Sequence, residues 1–151
     1  MPGRPPRARW SWRAELVLQE DKVVIAHVTT VEGTFAVDVE DELVVGLVDP
    51  PVERERVPLE LPRLVDASAA GSTVVALVER RPPLLVSSDA GATWREAGGG
   101  LPAGFAVAVA ADDPDRVLFA ARNRLYLSID GARFWRALEP ELPDIEAVAW
   151  T

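Results

Sequence analysis

A period of 41 residues constrains the fold of this chain more than any other feature of its sequence. Four arginines stand 41 residues apart, and a tryptophan precedes all but the second of them: Arg13, Arg54, Arg95 and Arg136. The same shift aligns two sets of apolar segments, namely 35–39 with 76–80 and 117–121, and 43–46 with 84–87 and 125–128. Such a period indicates repeated units that bury their apolar faces by stacking on one another. We place three repeats at about residues 23–63, 64–104 and 105–144.

Each repeat has the sequence character of short β-strands. Apolar runs of four to eight residues alternate with turn-forming clusters such as Arg81-Pro82-Pro83. No segment of a dozen residues shows a helical period. The third repeat contains four predicted strands, at roughly 105–110, 116–121, 124–128 and 134–138. Four strands in about 40 residues are typical of a propeller blade. The sequence predicts an all-β fold, a β-propeller-type array of about three four-stranded blades, with terminal strands at 10–18 and 145–150.

One motif lies between the third and fourth predicted strands of the second repeat, at Ser87-Ser88-Asp89-Ala90-Gly91-Ala92-Thr93-Trp94. It resembles the Asp-box, or bacterial neuraminidase repeat, whose pattern Ser-x-Asp-x-Gly-x-Thr-Trp it matches at Ser87, Asp89, Gly91, Thr93 and Trp94. A degenerate copy follows 41 residues later: it keeps Ser128, Asp130 and Trp135, moves the glycine to Gly131 and carries Phe134 in place of threonine. The resemblance covers residues 64–150, whereas residues 23–63 join it only through the period.

The motif has a physical explanation as a turn. We expect Asp89 to accept hydrogen bonds from its own turn, Gly91 to adopt a conformation that other residues avoid, and Trp94 to cover the turn. The resemblance implies a position at the blade periphery, away from the central channel. We therefore expect structural roles for Asp89 and Asp130, rather than catalysis or metal binding.

Sialidases share this motif, and the resemblance implies that their activity needs an arginine cluster, a tyrosine with a glutamate partner, and a further acid. The single tyrosine, Tyr126, is predicted on a third strand. The four periodic arginines are predicted to begin fourth strands, on the outside. We expect no catalytic residue. The alternative is a carbohydrate-active protein, either lectin-like or a degenerate sialidase or glycosidase.

Innermost strands line the channel of a propeller and carry most of its functional residues. The period places them at 23–28, 64–69, 105–110 and 145–150, where the polar residues are His27, Asp66, Ser68 and Glu146. Candidate contacts with a ligand or partner are Trp10, Trp12, His27, Asp66 and Trp150. The tryptophans suit stacking on sugars or filling a protein interface, and the alternative is that they close the core between the chain ends. His27 is otherwise a packed strand residue.

Composition excludes several classes of function. With 24 acidic and 16 basic residues the net charge is −8, which argues against binding to nucleic acid or an anionic membrane. One histidine and no cysteine exclude the usual zinc sites, and we expect no metal and no cofactor. Residues 1–9, with three prolines and three arginines, are predicted to form a flexible basic arm. Because no apolar signal segment follows the arm, the expected location is the cytoplasm.

The chain length sets a further condition. Three repeats use most of the 151 residues, and the remaining strands belong to incomplete blades. Propellers typically close with at least four blades, and an open array exposes strand edges. We expect completion by self-association first, by a different protein second, and by pairing of the terminal strands third. The expected function is a non-catalytic binding or scaffold module, with a glycan as the alternative ligand.

Overall fold

The computed structural model describes residues 24–151, and within this range the chain forms strands, turns and loops without a helix. The described range accordingly holds no helix that is long and apolar enough to cross a membrane. The strands are β1 (Ile25–Thr30), β2 (Gly33–Asp38), β3 (Leu43–Val48), β4 (Leu64–Ala70), β5 (Thr73–Val78), β6 (Leu84–Ser87), β7 (Arg95–Ala97), β8 (Ala106–Ala110), β9 (Asp113–Ala120), β10 (Arg124–Ser128), β11 (Arg136–Glu141) and β12 (Ile145–Trp150).

These strands form three antiparallel sheets of four. Sheet 1 has the order β4-β5-β6-β7, sheet 2 the order β8-β9-β10-β11, and sheet 3 the order β12-β1-β2-β3. Strand β8 packs against both β4 and β12, so sheet 2 lies between the other two. Strands β4 and β12 are not paired, and the sheets do not close into a ring. The predicted all-β, β-propeller-type array of four-stranded blades is confirmed.

Two apolar cores lie between the sheets, and β9 contributes to both. Leu118 is buried between sheets 2 and 3, whereas its neighbour Phe119 is buried between sheets 1 and 2. Successive residues of a strand point to opposite faces, so one strand in the middle sheet serves both cores. Tyr126 and Trp135 lie edge-on to Phe119, each with its ring centroid 5.9 Å away. Burial on both faces explains the continuous apolar sequence of β8, Ala-Val-Ala-Val-Ala.

The first repeat differs from its expected form. The sequence predicts an innermost strand at 23–28 and a fourth strand that begins at Arg54. In the structure β12 takes the innermost place in sheet 3, β1 is second, and residues 49–63 contain no strand. Four prolines in residues 49–63 explain the absence, because proline has no N–H to donate to a strand ladder. The terminal strand predicted at 145–150 is β12, while that at 10–18 and the arm at 1–9 lie outside the described residues.

Strand β3 forms the outer edge of sheet 3 and is unusually exposed. It contains no charged residue, and Leu43, Val45 and Leu47 are 58%, 62% and 70% exposed. The outer strands of the other sheets carry charges instead, as at Arg95 of β7 and Glu139 of β11. Among the described residues β3 pairs only with β2. An exposed apolar edge is a template for a further strand.

Candidate functional site

Side chains of β4 bond to the main chain of β8 where sheets 1 and 2 meet. The Asp66 carboxylate accepts hydrogen bonds from the amide of Val107 at 3.0 Å and the amide of Ala67 at 2.9 Å. The Ser68 hydroxyl accepts a bond from the amide of Val109 at 2.9 Å. Buried main-chain amides need such partners, and β8 has no strand on this side to supply them. Asp66 and Ser68 therefore join neighbouring sheets.

Arg54 lies over the same inner strands, although it belongs to the segment between β3 and β4. Its guanidinium donates to the carbonyls of Val65, Phe105 and Glu146 at 2.7 to 3.2 Å. Val65 is on β4, Phe105 directly precedes β8, and Glu146 is on β12. One side chain thus connects all three sheets. The prediction that Arg54 begins an outer strand was wrong, whereas Arg95 and Arg136 do begin β7 and β11.

Glu55, the residue after Arg54, holds the same segment against β4. Its carboxylate accepts bonds from the Ser68 hydroxyl at 2.8 Å and from the amide of Ala69 at 3.0 Å. Burial raises the pKa of Asp66, while the bond from Val107 and the charge of Arg54 oppose that rise. Asp66 is 9% exposed, and both its carboxylate oxygens are bonded to amides. The carboxylates of Glu55 and Asp66 therefore fasten the inner strands, and each of their oxygens already accepts a hydrogen bond.

Two other residues predicted as contacts, Trp150 and His27, are described by the structure and make no bond to this cluster. The Trp150 indole donates to the carbonyl of Ala108 at 3.0 Å, and the Arg116 guanidinium lies 5.7 Å from the Trp150 ring centroid. Trp150 and Asp66 thus bond to adjacent residues of β8. His27 is half-buried on β1, where it pairs with Ala149 of β12, and it lies one strand further from β8. Trp10 and Trp12 lie outside the described residues.

The first turn segment, Ser87–Trp94, is held by its own polar side chains. The Ser87 hydroxyl donates to Asp89 at 2.7 Å and accepts from the amide of Gly91 at 2.8 Å. Asp89 also accepts from the Thr93 hydroxyl at 2.6 Å and the Thr93 amide at 2.8 Å. The Thr93 hydroxyl is the largest cause that lowers the pKa of Asp89 to about 2. Gly91 has a φ of +93°, and the Trp94 ring lies over it.

The second turn segment, Ser128–Trp135, repeats this arrangement without the threonine. Ser128 donates to Asp130 at 2.8 Å, and Asp130 accepts from the amide of Phe134 at 3.0 Å. The bond from Phe134 is the largest cause that lowers the pKa of Asp130. The Trp135 indole donates to Ala132, and Gly131 has a φ of +73°.

The two turn segments are also joined to each other. The Arg95 guanidinium, directly after the first, donates to the carbonyl of Gly131 in the second. Phe134 is 79% exposed, so its ring adds nothing to the core. In both segments the aspartate bonds to groups of its own turn.

A groove opens beside Arg54 between sheets 1 and 2. Its volume is about 490 Å³, which lies within the usual range of ligand pockets. Val65, Pro83 and Phe105 contribute apolar surface, and Phe105 is 41% exposed. Arg80 and Arg81 line the groove with Arg54, against one acidic residue, Glu79. Residues 24–151 hold no cluster of three or more His, Asp or Glu side chains placed to bind a metal ion.

Comparison with known proteins gives little further guidance. No protein-family model matches the chain, and no curated protein matches it. A solved structure that it resembles is a GH74 enzyme from Niastella koreensis, with 21% sequence identity and a TM-score of 0.43. The match covers 76% of this chain and 17% of that chain, so this chain spans less than one fifth of the enzyme's length. The class defined by the geometry is an all-β, propeller-type array, without a family assignment.

The sequence did not predict that Arg54 and Glu55 lie beside Asp66 and Ser68. The period assigned Arg54 to an outer strand by analogy with Arg95. Pro50-Pro51 before this segment and Pro58 after it argue against a strand there, and that signal was available in the sequence.

Proposed function

We propose that the chain is a non-catalytic binding or scaffold module built on Asp-box blades. The observation that carries this proposal is the engagement of two carboxylates at the inner strands, because both oxygens of Glu55 and of Asp66 accept hydrogen bonds, whereas the carboxylate of Glu146 on β12 is exposed. A general acid or base must reach a proton of its substrate, and an oxygen fixed to the main chain is poorly placed to do so. In the two proposed Asp-box turns, Asp89 accepts hydrogen bonds at both carboxylate oxygens and Asp130 accepts them at one.

The binding surface in this proposal is the groove beside Arg54. Three arginines and one glutamate line it, and Arg80 also forms a 3.2 Å ion pair with Glu96, so Arg54 and Arg81 supply most of the positive charge in a chain whose net charge is −8. A locally positive groove attracts acidic groups, and the exposed ring of Phe105 offers an apolar contact. The proposed ligand is therefore an acidic polypeptide segment that carries an apolar side chain.

Fluorescence anisotropy with short labelled peptides tests this assignment. A peptide with phenylalanine between acidic residues is expected to bind, and the same peptide with amides in place of carboxylates is not. Arg81→Glu is expected to weaken binding about tenfold, or about 1.4 kcal/mol. The matched control is Arg56→Glu, which changes the charge equally at an exposed position outside this groove. Equal binding of both peptides, or equal losses in both variants, would reject the groove.

A glycan is the second candidate ligand. On the other side of Phe105 a cavity of about 560 Å³ is lined by Tyr126, Asn123 and Glu141. Aromatic, amide and carboxylate groups together can contact a sugar ring and its hydroxyls. A glycan array signal that Asn123→Ala abolishes would favour this ligand. Turnover of chromogenic glycosides would contradict a non-catalytic role.

A further inference from the structure

Strand β3 is the outermost strand of sheet 3, in the place that β7 and β11 hold in the other two sheets. Proteins prevent such edges from pairing with other chains by keeping them short, or by placing charges or proline on them. Strand β7 has three residues, two of them charged, and β11 carries a proline and three charged residues. Strand β3 has six residues, LVVGLV, without charge or proline. It therefore lacks the features that protect the other two outer edges.

The main chain of β3 is open on its outer side. Within the described range its only partner strand is β2. A bulge at Val45 interrupts that pairing, which is regular on both sides of it, since Val44 pairs with Val37 and Gly46 with Ala36. A bulge does not distinguish β3, because the pairing of β11 with β10 is interrupted as well. The edge thus combines exposed apolar side chains with main-chain groups that can accept a further strand.

Acidic residues flank β3 at both ends. Glu40 and Asp41 lie in the turn before it and Asp49 directly follows it, and all three are exposed. Among residues 24–151 none of these three forms an ion pair, whereas Glu42 is paired with Arg136. A segment that lies along β3 meets negative charge at both of its ends. Basic residues on either side of its apolar part are therefore complementary to this edge.

The same charges disfavour a second copy of this chain as the partner. Antiparallel pairing of two β3 strands centred on Val45 would place Asp41 of each chain opposite Asp49 of the other. Like charges directly opposite each other destabilise a strand pair. The net charge of −8 on each chain adds a general repulsion. The edge is therefore suited to a different, basic partner.

We propose that β3 binds, by strand addition, an extended apolar segment of another protein that carries basic residues at both ends. Main-chain hydrogen bonds to β3 hold the segment, and its apolar side chains pack on Leu43 and Leu47. Its basic ends lie beside Asp41 and Asp49. This surface is separate from the groove beside Arg54, which is lined by arginines and favours a ligand of the opposite charge.

Fluorescence anisotropy with a labelled synthetic peptide tests this surface. The probe is a peptide of alternating valine and threonine with two lysines at each end, and it is expected to bind, whereas the same peptide with glutamates at its ends is not. Val45→Lys is expected to weaken binding at least tenfold, because a charge on an edge strand opposes pairing. The matched control is Val31→Lys, since Val31 and Val45 are both 62% exposed, and it is expected to bind normally. Equal binding of the two peptides, or equal losses in the two variants, would overturn the proposal.

Amide hydrogen exchange on the full-length chain locates the bound peptide. The β3 amides that do not bond to β2 are expected to exchange about tenfold more slowly with the peptide bound, while β7 and β11 keep their original rates. Unchanged exchange of β3 at saturating peptide would overturn the proposal. Protection of these amides without peptide would overturn it too: it would assign the edge to a second copy if it rises with protein concentration, and to the same chain if it does not. Arg81→Glu, which acts on the groove, is expected to change neither measurement, so the two proposals fail separately.

Discussion

The amide of Val107 donates a 3.0 Å hydrogen bond to the carboxylate of Asp66, a residue one full period earlier in the chain. Ser68 and Val109 repeat this relationship at 2.9 Å. Equivalent positions of successive repeats thus touch directly, with a side chain of one repeat bonded to the main chain of the next. Sheets 2 and 3 are not joined in this way. The residues of β8 that correspond to Asp66 and Ser68 are Val107 and Val109, and valine has no polar side chain to bond to β12. The Trp150 indole makes the corresponding contact there.

Arg54→Lys is expected to lower the free energy of unfolding by about 1–3 kcal/mol. Lysine keeps the charge, but its compact ammonium cannot reach the carbonyls of Val65, Phe105 and Glu146 at once. Urea denaturation measures the change. Arg56→Lys, at an exposed position two residues away, serves as the control and is expected to leave stability unchanged. Equal stability of the two variants would mean that the Arg54 contacts contribute nothing.

Thr93→Val is expected to raise the pKa of Asp89, because it removes the largest cause of its depression to about 2. A carboxyl whose folded-state pKa is depressed stabilises the fold above its ordinary value of 3.8 and loses that contribution as the pH falls toward 2. In the variant the folded-state pKa of Asp89 lies closer to 3.8. The carboxylate then stabilises the fold less, and this smaller contribution is lost over a narrower pH range below 3.8. Carboxyl carbon NMR shifts against pH measure the change, with Asp130 as an internal reference. An Asp89 titration that does not move would contradict the assignment.

Phe134→Thr is expected to add the hydroxyl that the second turn segment lacks. By analogy with Thr93 it donates to Asp130, so the pKa of Asp130 is expected to fall further and the free energy of unfolding to rise. Little burial is lost, since Phe134 is 79% exposed. Phe134→Val removes the ring without adding a donor. If this control is equally stabilising, the gain does not come from the hydroxyl.

Gly104→Ala is expected to lower the free energy of unfolding by about 1–3 kcal/mol through overpacking. The added methyl would lie 2.6 Å from the Phe119 ring and 2.7 Å from Leu77, and both side chains are fully buried. Gly99→Ala meets nothing within 4 Å, so it is expected to be neutral. Thermal unfolding of the two variants makes the comparison. A neutral Gly104→Ala would show that the core yields freely at this point.

The sequence was sufficient for the repeated part of the fold and insufficient for its exceptions. Apolar runs and turn residues predicted the strands of the third repeat, because those patterns are local. The pairing of β12 with β1 was not predictable, since a strand pattern does not specify the partner strand. Asp66 was selected from its inner position, whereas its partner is a main-chain amide and carries no residue-type signal. Arg54 shares the spacing of Arg95 but not its surroundings.

The pairing of β12 with β1 also sets an order of folding. Sheets 1 and 2 each consist of strands that follow one another along the chain, so they can grow hairpin by hairpin. Sheet 3 joins Val28 to Val148, which requires closure of a loop of more than one hundred residues. Strands β1, β2 and β3 are synthesised before β12 and lack their inner partner until β12 follows. Because β12 is also the last of the strands to be synthesised, we expect sheet 3 to be completed after sheets 1 and 2.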